Sequence, residues 1–201
     1  MITLVIVIVT ALTSVLAFRR EELFKRFDLS PARIVHQGEY YRIFTHAFLH
    51  VDYWHLGINM LVLYSFGTYI EARFAQMEAQ GVIFSATFFY LLLYVGSIVV
   101  ASVSTVTRYR NNANYSAVGA SGAVYGVLLA FGMLFPNTPL FIIPIPFPIK
   151  AKWLVIGFGA LELFLGVSQS GDNIAHFAHL GGMIFGFILI RYWNRFTRNF
   201  Y

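Results

Sequence analysis

The sequence predicts an all-α membrane protein: a bundle of six membrane-spanning helices with a long structured first loop. Three observations predict it. The chain is 58% hydrophobic and only 11% charged, whereas soluble domains carry nearer a quarter charged residues. Six apolar runs approach the roughly 20 residues that a spanning helix needs. One long connection mixes bases with aromatic rings, a blend suited to the membrane interface. Almost no stretch lacks apolar runs, so residues 1–201 are expected to form a single domain. The formal charge of +5 includes no basic cluster of the kind that binds nucleic acid. It is a membrane-surface feature, and the lipid bilayer is the expected surrounding. The absence of cysteine excludes disulfides and thiol chemistry.

The candidate spans run approximately Ile2–Phe18, His55–Phe74, Val82–Val103, Val118–Phe135, Lys152–Ser168 and Ile174–Trp193. The first lacks a charged n-region and a small-residue cleavage site, so it reads as a helix rather than a signal peptide. Arg19 to Trp54 is the long connection, with Arg19, Arg20, Glu21, Glu22, Lys25 and Arg26 followed by Phe27, Tyr40, Tyr41, Phe44 and Phe48. A connection of this length has its own structure or a function. Span two carries His55 and Asn59 at i, i+4, on one face near its start. Its far end carries Gly67 and Glu71-Ala72-Arg73. A polar, Asn-rich loop, Arg108 to Ser116, precedes span four. After Phe135, five prolines from Pro136 to Pro148 predict a non-helical connection. Gly171-Asp172-Asn173 predicts a turn, with Asp172 or Asn173 capping the last span.

Span four opens with Gly119-Ala120-Ser121-Gly122-Ala123-Val124-Tyr125-Gly126. Gly119, Gly122 and Gly126 fall at i, i+3 and i+7 and would form a smooth face for another helix. Span six offers its own small pair, Gly182 and Gly186, after His176 and His179. Successive spans alternate direction, so spans two, four and six enter from the same side. At about 1.5 Å per residue, His55, Asn59, Ser121 and His179 then share one shallow depth.

Serine is a weak nucleophile until a base takes its proton, and histidine is the usual base. Acyl transfer also needs donors aimed at the developing oxyanion. The set at one depth supplies these roles: Ser121 as nucleophile, His179 as base, and His55, Asn59 and the backbone N–H groups around Ser121 as donors. Tyr125, one turn on, is placed to pack on the His179 ring. No carboxylate is evident as a third member, so the constellation reads as a dyad. Glu162, midway along span five, has no assigned role beyond burial in a protonated or hydrogen-bonded state. His176 is a further candidate base, read as an interface histidine. His46 and His50 have the i, i+4 spacing of metal ligands but no third ligand, so they read as loop-structure residues and no metal or cofactor is expected.

With those residues in view, the sequence resembles the rhomboid intramembrane serine proteases in their basic six-helix form, over roughly Tyr41 to Gly186. The resemblance is carried by Tyr41-Arg42, His46 and His50, His55 with Asn59, Gly67, Glu71, Gly119-Ala120-Ser121-Gly122, Tyr125, and His179-Leu180-Gly181-Gly182 with Gly186. It implies a Ser121–His179 dyad, an oxyanion hole from His55, Asn59 and the Ser121 amide, and Tyr125 stacked on His179. It implies that Arg42 and Glu71 hold the first loop, and that the substrates are single-pass membrane proteins cut within their transmembrane segments. The active face is then expected outside the cytoplasm, in a bacterial inner membrane. Charge alone mildly favours the opposite orientation, with eight Lys/Arg on the reactive side against six on the other. Tyr41 stands where the family usually has Trp. A non-proteolytic relative that escorts membrane helices is the alternative. A transporter would show repeat symmetry and a midplane site, and neither is evident. The fifth span and the turn 169–173 are expected to move to admit substrate and water.

Overall fold

A computed structural model describes residues 1–142, 146–168 and 175–197. The turn 169–173 and the capping assignments to Asp172 and Asn173 lie outside the described residues. Among the described residues nine α-helices follow in chain order: α1 Ile2–Phe18, α2 Glu21–Phe27, α3 Pro31–Gln37, α4 Arg42–Thr45, α5 Tyr53–Ala79, α6 Ala86–Tyr109, α7 Ser121–Leu134, α8 Ala151–Ser168 and α9 His176–Thr197, with a short 3-10 turn His46–Phe48 after α4. The chain is therefore mostly helical, as composition predicts. Among the described residues, α6 and α8 are long and apolar enough to cross a membrane, while α1 and α7 are shorter apolar helices.

Local chemistry sets the boundaries. The Asp52 carboxylate accepts from the His55 N–H and starts α5 earlier than the apolar pattern suggests. The Ser85 hydroxyl accepts from Phe88 N–H, so α6 begins at Ala86 rather than Val82. Gly119 adopts φ 129°, a conformation open to glycine, and α7 begins only at Ser121. Gly119 therefore lies outside the helix, and the expected three-glycine face reduces to Gly122 and Gly126. The proline-rich connection carries two short strands, β1 Pro139–Leu140 and β2 Ile149–Lys150, paired antiparallel.

The first loop is structured, as its composition predicts. Glu21 and Glu22 open α2, and Lys25 and Arg26 close it, matching the helix dipole. Pro31 opens α3 and Gly38, at φ 71°, ends it. Arg42 is almost fully buried. Its guanidinium donates to Glu39 Oε2 at 2.5 Å, to the Lys25 and Asp28 carbonyls at 3.1 and 2.9 Å, and to the Asp28 carboxylate at 2.5 Å. Burial pushes the Asp28 carboxyl up, and the Arg42 charge opposes that shift.

The bundle encloses an apolar core that includes Leu63, Ile70, Phe74, Phe89 and Leu93, yet its outside is apolar as well. α1 buries Thr3, Thr10, Ser14 and Ala17 while exposing Leu4, Val5, Ile8, Leu12 and Leu16. Lipid needs no apolar interior, so small and polar residues are free to serve helix contacts. Glu71, expected to hold the first loop, does not do so. Its carboxylate accepts from the Ile2 and Thr3 N–H groups at 2.6 and 3.1 Å and from the Thr3 hydroxyl at 2.8 Å. It caps α1 because the first N–H groups of a helix have no partners of their own.

α7 lies against α9 with backbones nearly touching. A β-carbon on Gly182 would sit 1.9 Å from the Gly122 carbonyl oxygen, and one on Gly186 would sit 2.6 Å from that of Gly126. Neither carbonyl can swing aside. Gly182→Ala should therefore lower stability by about 1–3 kcal/mol through overpacking. Gly57→Ala, where a β-carbon meets nothing within 4 Å, should be neutral or stabilising by up to ~1 kcal/mol. Thermal melting of the two purified variants in detergent checks the contrast.

Candidate active site

Ser121 is the first residue of α7 and His179 lies in the first turn of α9. The glycine contact between those helices brings Ser121 Oγ to 2.9 Å from His179 Nε2. The Tyr125 ring stacks on the His179 imidazole, centroids 4.3 Å apart and planes 11° apart. His179 rather than His176 makes the contact with serine.

The first loop supports the same spot. Leu29 and Ala117 exchange backbone hydrogen bonds at 2.8 and 3.1 Å, and Gly119 N–H donates to the His46 carbonyl at 3.0 Å. These bonds fix the approach to Ser121. A β-carbon on Gly119 would lie 2.9 Å from His55 Cε1 and 3.8 Å from Ser121 Oγ, so the half-buried His55 ring borders the serine across Gly119. Asn59 is buried, and its amide donates to the His55 carbonyl at 2.9 Å. It braces the turn that carries His55, and that bond directs it along its own helix. The N–H groups at the start of α7 have no partner within the helix and are the donors nearest the serine. A cavity of about 30 Å³, lined by His46, Ser102, Thr105, Gly119, Ser121 and Gly122 among others, has room for a water.

The expectation that no carboxylate stands beside the Ser121–His179 pair requires correction. Glu162 is one of three buried residues on α8, with Ala151 and Val155. Its Oε1 lies 3.0 Å from His179 Nδ1, off the straight hydrogen-bond line, and accepts from the Tyr125 hydroxyl. Its Oε2 lies 2.6 Å from His176 Nδ1. The sequence showed the unusual carboxylate, but not which histidine it faces, because no spacing links α8 to α9. Glu162, His176 and His179 hold ligand atoms within 4.8 Å of one another, a spacing that could accept a metal ion.

His46 and His50 do not join that cluster. His46 Nδ1 donates to the Arg42 carbonyl at 3.0 Å. His50 Nδ1 lies 2.9 Å from Ser14 Oγ, and that hydroxyl donates to the Phe48 carbonyl, tying the loop to α1. Burial pushes His46 down to about 4 and, with the neighbouring His55 charge, His50 down to about 3. Both are held neutral when folded, whereas histidine in the unfolded chain titrates near about 6.5. Their contribution to stability is therefore present above about pH 6.5 and lost as pH falls through the folded values. Melting temperature should decline between about pH 7 and pH 4, and His46→Asn/His50→Asn should flatten that decline.

A family model described as "Rhomboid domain" matches residues 37–195. The chain is 34% identical over 146 residues to "Rhomboid protein 1, mitochondrial" of Saccharomyces cerevisiae, covering 70% of this chain and 38% of that protein. It is 28% identical over 167 residues to "Rhomboid protease GluP" of Bacillus subtilis, covering 83% of this chain and 28% of that protein. It is 31% identical over 168 residues to "RHOMBOID-like protein 1" of Arabidopsis thaliana, covering 83% and 38%. The chain thus spans well under half the length of these relatives.

Proposed function

The chain belongs to the rhomboid family of integral membrane proteins, and from that premise we propose that it is an intramembrane serine endopeptidase. The observation that carries the proposal is the 2.9 Å approach of Ser121 Oγ to His179 Nε2 beneath the stacked Tyr125 ring. The relative named as a protease, GluP, supports the class of reaction. The substrates in this reading are single-pass membrane proteins. The enzyme crosses the bilayer with six helices, in a bacterial cell membrane or a mitochondrial counterpart, and its site opens away from the cytoplasm.

His179 Nε2 takes the Ser121 proton as Oγ attacks the scissile carbonyl carbon. The new C–O bond leaves negative charge on the carbonyl oxygen, facing the free N–H groups at the start of α7 and the His55 ring. Collapse breaks the C–N bond, and His179 returns the proton to the leaving amine. Water then attacks the acyl-serine, with His179 again as base. Tyr125 holds the imidazole plane, and His55, braced by Asn59, supplies the second side of the oxyanion site.

Purified wild type should cleave a model single-pass helix in proteoliposomes and react with a fluorophosphonate at Ser121. Ser121→Ala and His179→Ala should each reduce cleavage by at least ~10³-fold, since members of such a pair act as a unit. Melting temperatures should stay near wild type. Cleavage surviving Ser121→Ala would sink the serine mechanism. A wild type that binds the helix but neither cuts nor labels would favour the escorting alternative.

A further inference from the structure

Resting on that reading, we propose that Glu162 is a third, positioning member of the site, fixing the tautomer and plane of His179 with His176 and Tyr125 as co-anchors. The proposal stands on three N–H and O–H groups gathered around one carboxylate. The Tyr125 O–H donates to Oε1, His176 Nδ1 meets Oε2 at 2.6 Å, and His179 Nδ1 lies 3.0 Å from Oε1 without a straight hydrogen bond.

An ionised carboxylate is acceptor-only and offers about four lone-pair sites. It therefore suits three donors at once, and no neutral side chain of similar size does so. Holding the proton of each imidazole on Nδ1 leaves the Nε2 lone pair of His179 facing Ser121 Oγ, the state a general base needs. The 3.0 Å separation to His179 Nδ1 is off-line in the free protein. Catalytic hydrogen bonds of this kind commonly tighten only when substrate binds. Tyr125 then has two duties, with its ring against His179 and its hydroxyl on the same carboxylate that faces His179.

Placement argues against a packing role. α8 exposes Trp153, Ile156, Leu161, Leu163, Phe164 and Val167, so it is mostly a lipid-facing helix. A carboxylate is costly at such depth, and an apolar residue would pack α8 against α9 more cheaply. Glu162 is nonetheless among the few residues that α8 buries, at 6% exposure, beside two histidines equally enclosed.

The test compares Glu162→Gln with wild type, with Ser121→Ala as the inactive reference, in the proteoliposome cleavage assay. Glutamine keeps the shape but presents an amide N–H₂ where an acceptor is needed. We expect kcat to fall about 10–100-fold, the usual loss when a group orienting an active imidazole is removed. KM and melting temperature should change little. Wild type selectively labelled with ¹⁵N-histidine should show His179 in one tautomer, protonated on Nδ1. Glu162→Gln should show mixed tautomers. Glu162→Asp should recover part of the rate and of the tautomer preference.

An unchanged kcat and an unchanged His179 spectrum in Glu162→Gln would overturn the positioning role while leaving the serine mechanism intact. Lost rate with a collapsed melting temperature and an unaltered His179 spectrum would reduce Glu162 to a packing residue. Loss of wild-type activity on chelation, restored by zinc, would reassign the cluster as a metal site. Absence of fluorophosphonate labelling in wild type would instead remove the functional reading on which the proposal rests.

Discussion

The close approach of α7 and α9 is the constraint on which the rest of the structure depends. A β-carbon on Gly182 or Gly186 would meet the carbonyl oxygen of Gly122 or Gly126, and one on Gly122 or Gly126 would meet Ala101 or Ser97 of α6. In lipid, association cannot rely on hiding apolar surface from water, so dispersion between closely packed backbones carries more of the binding. The contact also sets the chemistry. With α7 starting at Ser121 and His179 in the first turn of α9, helix separation becomes the Ser–His distance of 2.9 Å. A helix pair held apart by larger side chains could carry the same two residues and never bring them within hydrogen-bond reach.

A second support comes from outside the bundle. Arg42 gathers the first loop by binding Glu39, Asp28 and two carbonyls, and the loop in turn holds Ala117 through Leu29 and Gly119 through the His46 carbonyl. The backbone leading into Ser121 is therefore fixed by residues 70 or more positions earlier in the chain. Gly119 completes the arrangement, since its φ of 129° turns the chain into α7 and its missing side chain makes room for His55. One glycine thus serves both the backbone turn and the approach of a candidate oxyanion donor.

The interior shows how a membrane environment redistributes residue types. Thr3, Thr10 and Ser14 point inward from α1, and Glu71 is used to cap that helix. The sequence showed Glu71 at the end of an apolar run, where a role in the first loop and a role as a helix cap look alike. Only the packing of α1 against α5 separates them. Arg42 and Glu71 have similar visibility in the sequence, yet one gathers the loop and the other caps the start of a helix.

Much of the fold was legible in the chain because its signals are local. Apolar runs of near-spanning length, glycines at helical spacing, the prolines after Phe135 and the aromatic-basic blend of the first loop are each set by neighbouring residues. The approach of Ser121 to His179 was legible as well, because spans read as alternating in direction put both residues at one depth. Helix starts shifted by a few residues where Asp52, Ser85 and Gly119 overrode hydropathy. The partner of His179 was not legible. Glu162 stands midway along α8, and the rotation of that helix about its axis decides whether its carboxylate meets lipid, a neighbouring backbone or an imidazole. Periodicity gives a helix its faces but not the direction in which it presents them. That direction comes from packing against α7 and α9, a tertiary fact, and it puts a carboxylate 3.0 Å from a histidine that the sequence showed without one.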